Sequence, residues 1–285
     1  MNNHLKGLII TTFGVLFVVP DSLFVRLIDA EPLVTAFWRG MISGLIILLV
    51  VPVFQGVAGF SAIFRTGWPG LTYTLLLGTT APAFVFAVTY TSVANAVFIL
   101  ASTPVFAAIF SRIFLSEPII SRMAVTMLAV LVGMGIIAYG SGETGLSSWQ
   151  GDLWALYVAV AFAAALTALR KVKETPMVAA IPIGYIGAAL VIAQFVSPLP
   201  PFETQWPLIL AHGTFVAVAT CLLTLGPRFI SSAEVSLLIL LESVLAPILA
   251  WAVIGEDPGS WALVGGAVVI GALVVSNLVA LRSHP

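Results

Sequence analysis

Runs of about twenty apolar residues follow one another almost without pause along this chain, and few folds can accommodate them. A helix rises about 1.5 Å per residue, so a run of roughly 20 residues matches the ~30 Å hydrocarbon core of a bilayer. Cutting at polar and Pro/Gly clusters leaves ten such runs, at about 5–28, 32–54, 69–90, 93–115, 119–140, 151–171, 176–197, 206–226, 231–254 and 259–282. The longest connections, 55–68, 141–150 and 198–205, are too short for a soluble domain. Of 285 residues, 60% are hydrophobic and 8% charged, whereas soluble domains carry about a quarter charged residues. A soluble fold of this length exposes too much surface to hide that much apolar text. The predicted fold class is all-α and integral to the membrane, with ten transmembrane helices.

Lys6 and the apolar run from Leu8 to Pro20 have the outline of a signal peptide. No small-residue cleavage pattern follows, and the segment continues through Asp21 to Arg26, so it reads as a retained first span. Lysine and arginine then set an orientation. With ten spans and a cytoplasmic N-terminus, Lys6, Arg65, Arg112, Arg122, Arg170, Lys171, Lys173, Arg228 and Arg282 fall at cytoplasmic ends. Only Arg26 and Arg39 fall toward the outside. The acids Asp29, Glu31, Glu143, Asp152, Glu203, Glu256 and Asp257 fall outside as well. The expected placement is a cell (inner or plasma) membrane with both termini cytoplasmic.

The chain also reads as two five-helix halves, 1–145 and 146–285. A shift of 139 residues brings Ser92 onto Ser231, Ala94 onto Ala233, Val105 onto Val244, Ala107 onto Ala246 and Glu117 onto Glu256. Each half then carries a small-xxx-small pair, Ala129/Gly133 and Ala267/Gly271, expected to let helix backbones approach closely. Five is odd, so the second half enters the bilayer inverted. Inverted repeats are an architecture of secondary transporters, with the site near the midplane where the halves meet.

Ionisable residues inside a span are functional candidates by default. Glu242 lies at the middle of the ninth run. A carboxyl there can take up a proton, pair with a cation such as a substrate amine, or serve a structural role by bonding backbone freed by Pro247. Its repeat counterpart, Thr103, sits beside Pro104. Asp21 and Arg39 lie at similar depth on the first hairpin and form a structural ion-pair candidate; the alternative is that Arg39 holds a substrate carboxylate or phosphate. Arg26, nearer the surface, is expected to snorkel. His212 is expected to bond a neighbouring helix or to titrate. Asn95 and Glu234 read as first-turn caps. Trp149, Trp206, Trp251, Trp261 and Trp68 read as interfacial belts. Trp38, Tyr90, Trp154 and Tyr157 are the aromatic cavity candidates, suited to an amino acid or a cation.

A single cysteine, Cys221, excludes an intrachain disulfide framework and a Cys-based metal site. No catalytic constellation, metal cluster or phosphate loop appears, so neither an enzyme nor a cofactor is expected. The basic residues are too sparse for nucleic acid. The expected partners are a small-molecule substrate and the bilayer, with protons as a candidate coupling ion and a second copy of the chain as a candidate partner.

The run Tyr90-Thr91-Ser92-Val93-Ala94-Asn95-Ala96-Val97-Phe98-Ile99 resembles the start of the fourth span in the drug/metabolite transporter superfamily, closest to the EamA-type ten-helix exporters. Phe37-Trp38-Arg39, Ser102-Thr103-Pro104-Val105-Phe106-Ala107 and Leu115-Ser116-Glu117-Pro118 carry the resemblance further. So do Leu241-Glu242-Ser243-Val244-Leu245-Ala246-Pro247 and Ile254-Gly255-Glu256, with Ser243 where a proline is usual. The resemblance implies two inverted five-helix repeats around a central cavity and export of metabolites such as amino acids. It favours a structural or general transport role for Glu242 and Arg39 over substrate selection. Efflux of cationic drugs is the second expectation, and a non-transporting membrane scaffold the third.

Overall fold

The computed structural model is a bundle of α-helices that describes residues 3–141, 149–255 and, in part, 260–279. The first expected span is divided into α1 (Asn3–Val18) and α2 (Asp21–Leu27). Pro20 lacks an amide N–H, so the regular ladder stops there; Val19 N still donates to Val15 O at 3.0 Å, and Phe24 N restarts the ladder on Pro20 O at 2.9 Å. Next come α3 (Pro32–Gln55), a short α4 (Ala58–Phe64) inside the long connection, and α5 (Trp68–Tyr90). The fourth expected span is divided too, into α6 (Val93–Leu100) and α7 (Thr103–Leu115). Ser102 N tightens onto Ile99 O at 3.0 Å, and Pro104 offers no donor to continue the helix.

The chain continues through α8 (Ser121–Ser141) and α9 (Trp149–Lys171), then a 3-10 turn at Met177–Ala179 leading into α10 (Ala180–Ile192). α11 (Leu199–Leu225) starts earlier than expected and kinks at Gln205, ahead of Pro207. A 3-10 turn, Gly226–Arg228, leads to α12 (Ser232–Ile254). The start of α12 is fixed by a capping box. Glu234 N donates to Ser231 Oγ at 3.2 Å, and Ser231 N donates to Glu234 Oε2 at 3.0 Å. The side chain of Asn95, read as the matching cap in the first half, lies outside the described residues, as do Glu143, Glu256, Asp257 and Arg282.

Among the described residues, six helices are long and apolar enough to cross a membrane: Asn3–Leu27, Pro32–Gln55, Trp68–Tyr90, Trp149–Lys171, Leu199–Arg228 and Glu234–Ile254. Thr103–Leu115, Ser121–Gly133 and Met177–Ile192 are shorter apolar helices that fall on the fourth, fifth and seventh expected runs. The tenth run falls on the partly described stretch.

Helix ends gather at two poles. At one, His4 Nε2 lies 3.2 Å from Glu234 Oε1, Arg122 Nη2 donates to the same oxygen at 3.1 Å, and Arg170 Nε donates to Glu117 Oε1 at 2.8 Å. Arg228 Nε donates to Lys173 O at 2.8 Å there, which makes this the basic end. At the far end, Asp29 and Gln205 exchange two hydrogen bonds, of 2.9 and 3.0 Å. Arg26, expected to reach for water, instead donates to Thr91 O at 3.2 Å, because the end of α5 offers a carbonyl within reach.

A Cβ at Gly271 would meet no described atom within 4 Å. Among the described residues, a close backbone crossing lies between α5 and α10. There a Cβ on Gly78 would stand 2.8 Å from Gly184 O, and one on Gly184 would stand 2.6 Å from Thr74 O. Backbone atoms cannot rotate away as a side chain can. Gly78→Ala is therefore expected to cost about 1–3 kcal/mol. Gly271→Ala is expected to stay within about 0.5 kcal/mol. Thermal unfolding of the two variants in detergent checks the contrast, and equal midpoints would refute it.

Candidate functional site

The two helix breaks face one another across a cavity in the middle of the bundle. Val18 and Asp21, on either side of the first break, line it, as do Leu100 and Thr103 on either side of the second. It contains about 950 Å³ of atom-free space, its mouth included. Thr103 turns its hydroxyl back onto Leu100 O at 2.5 Å, occupying one carbonyl that the break leaves free.

Asp21 opens α2 and is 1% exposed. Arg39, from α3, donates to it through Nε at 3.0 Å and through Nη2 at 2.5 Å. On its other side, His212 of α11 donates Nε2–H to Asp21 Oδ1 at 2.6 Å. A single carboxylate thus joins three helices. The Arg39 guanidinium also sits 5.4 Å over the Phe84 ring, and the Tyr185 hydroxyl of α10 lies within its electrostatic reach. Arg39 Nη1 makes no hydrogen bond of good geometry. The Asp21 and Arg39 charges cancel, and mutual pairing lowers the cost of burying both.

Glu242 differs. It lines the same cavity from the middle of α12, close enough to feel Asp21 and Arg39 electrostatically, yet Oε1 is buried with no hydrogen-bond partner among the described residues. Its neighbour Ser243 donates to Val97 O at 3.1 Å, which ties α12 to α6. Much of the remaining wall is apolar, with Leu77, Phe84, Phe162, Leu166 and Leu240 among its members. Among the described residues, the cavity therefore combines an internally neutralised Asp21–Arg39 pair, one carboxyl without a hydrogen-bond partner and a largely hydrocarbon lining. Such a site can take a protonated amine with an apolar body, or a proton.

The aromatic expectations need correction. Trp38 is held at the far end, where Nε1 donates to Pro198 O at 2.8 Å and the ring stacks on Phe202 at 4.3 Å. Tyr90, Trp154 and Tyr157 are 42%, 40% and 39% exposed and do not line the cavity. The face of α9 centred on Ala155, Ala159 and Leu166 is buried, which leaves Tyr157 outside that arc and Trp154 at its edge. Phe86 joins these residues in an aromatic surface patch, and the Tyr157 hydroxyl donates to Thr79 Oγ1 at 2.6 Å. His212 backs Asp21 without lining the cavity. The lining hydroxyl residues missed from the sequence include Tyr73, Thr80, Tyr185, Thr220 and Thr224. Tyr185 carried the mid-run depth already applied to Glu242, and Thr220 and Thr224 carried a one-turn spacing on one helix face.

The model of the EamA-like transporter family matches residues 5–139 and again 149–278. A solved structure titled only "Crystal structure of protein" superposes with a TM-score of 0.80, over 99% of this chain and 100% of that one, at 19% identity. That likeness concerns the fold alone. No curated protein matches the sequence.

Proposed function

Because the chain belongs to the EamA-like transporter family, within the drug/metabolite transporter superfamily, we propose that it is a secondary carrier for small metabolites bearing an amino group. Amino acids and related polar compounds are the first class of cargo. The cavity between the two helix breaks is the binding site, and it is reached from each face in turn by alternating access. Ten crossings as two inverted five-helix repeats, both termini cytoplasmic in a cell inner membrane, and net export complete the reading. Glu242 carries the proposal: it is an acid buried in the middle of α12 without a hydrogen-bond partner among the described residues, where a substrate ammonium or a coupling proton would find one. Asp21 and Arg39 line the same cavity, with His212 holding Asp21 from behind.

The apolar lining and the neutralised arginine favour a second reading, efflux of lipophilic cations, over any anionic cargo. A filled centre with every charge satisfied would have suited a scaffold protein; the cavity and the unpartnered Glu242 weigh against that.

The test is flux into proteoliposomes across labelled amino acids and cationic amphiphiles, with and without a pH gradient. Saturable uptake of an amine-bearing compound is expected, and absence of saturable flux for every class sinks the carrier reading. Trp154→Ala and Tyr157→Phe are expected to leave the KM within about twofold, since both side chains face away from the cavity. A tenfold rise in KM for either would return them to the site.

A further inference from the structure

One wall of the cavity carries polar groups well beyond the mid-span charges. The Tyr185 hydroxyl is 3.1 Å from Thr220 Oγ1. One turn on, Thr224 Oγ1 donates to Thr220 O at 2.6 Å and lies 2.7 Å from the Tyr73 hydroxyl. With Tyr185 beside Arg39, these groups form a continuous strip of hydroxyls from the charged cluster toward the basic end, built from α10, α11 and α5. All four residues line the cavity, and Leu166, Leu169 and Leu223 line the same stretch. Leu169 directly precedes Arg170, so this part of the cavity reaches the neighbourhood of the basic-end ion pairs.

We infer that the strip is the polar track of the passage between the mid-span site and the basic end, along which Tyr73, Thr220, Thr224 and Tyr185 hydrogen-bond the polar end of the cargo in transit. This rests on the carrier reading and adds specificity-determining residues to it. A polar group moving through a purely apolar channel would lose its hydration without replacement, at a cost of about 1–3 kcal/mol on protein scales. A ladder of hydroxyls can exchange partners one step at a time. The bond between Tyr73 and Thr224 joins α5 to α11, so it is also a link that yields when these two helices part at this end.

The native chain makes the test direct, because its single cysteine, Cys221, sits inside the same turn as Thr224. In a Cys221→Ala background, Thr224→Cys is compared with Val191→Cys, whose position is exposed on the outside of the bundle. A charged, membrane-impermeant methanethiosulfonate is applied from the side of the basic end. Thr224→Cys is expected to react at least about tenfold faster. Equal rates overturn the inference, whether or not flux is found. In the flux assay, Tyr73→Phe and Thr224→Val are expected to lower Vmax about five- to tenfold for a strongly polar amino acid and less than twofold for a lipophilic amine. An equal loss for both cargoes assigns these residues to packing and also overturns it. Absence of flux in the native protein sinks the carrier reading, and the labelling result still judges the strip.

Discussion

Asp21→Asn is expected to lower stability by about 3–5 kcal/mol, the range for removing one member of a buried ion pair. The reason is what it leaves behind. Arg39 keeps its charge at 7% exposure, loses the acceptor of its Nε and Nη2 hydrogen bonds, and faces an amide that bonds it far more weakly. His212 loses the anion that receives its Nε2–H. Three helices meet at that carboxylate, so the loss is cooperative. The measurement is thermal or denaturant unfolding in detergent, alongside the double variant Asp21→Leu/Arg39→Met. Removing both charges leaves no uncompensated ion, and the double variant is expected to recover more than half of the single-variant loss. A loss below about 1 kcal/mol in Asp21→Asn would show that the pair is not what anchors α2, α3 and α11.

Glu242→Gln is expected to act in the opposite sense. It removes no hydrogen bond that the folded protein makes among its described residues, so unfolding midpoints should hold or rise slightly. Transport should fail: losing a charge-assisted bond of about 1.5–3 kcal/mol corresponds to roughly a ten- to hundredfold loss in Vmax/KM for an amine-bearing cargo. If the carboxyl also exchanges protons during the cycle, residual flux should no longer respond to an imposed pH gradient. Glu242→Asp, which keeps the charge but shortens the arm, should retain a measurable part of both. Intact gradient-driven flux in Glu242→Gln would dismiss Glu242 as cargo and proton site together. Stable protein with lost flux is the signature of a functional buried acid, whereas Asp21→Asn should lose both together.

Hydrophobic run length made the membrane class legible at once, because the bilayer imposes one length on every helix that crosses it. Glu242, Asp21, Arg39 and Thr103 were also legible, since a polar side chain in the middle of an apolar run has to find a purpose. The aromatic residues were not. Run length says how deep Trp154 and Tyr157 lie but not which way α9 turns, and α9 turned its small residues inward. Pro20 and Pro104 signalled disturbance. That both disturbances would open as breaks onto one cavity depends on the packing of α1, α2, α6 and α7, which no local pattern encodes. The hydroxyl strip was overlooked because tyrosine and threonine are tolerated inside membranes and draw less notice than a charge.

The crossing at Gly78 and Gly184 bears on how the carrier can move. Gly78 belongs to the first half of the chain and Gly184 to the second, and their backbones touch with no side chain between them. On α3, a Cβ at Gly40 would stand 3.1 Å from Tyr185 O, which makes α10 a close neighbour of two first-half helices. Sliding along such seams would drive backbone into backbone. Under the proposed alternating access, α3, α5 and α10 would therefore travel as one piece assembled from both halves, and the moving surface would lie elsewhere than at these seams.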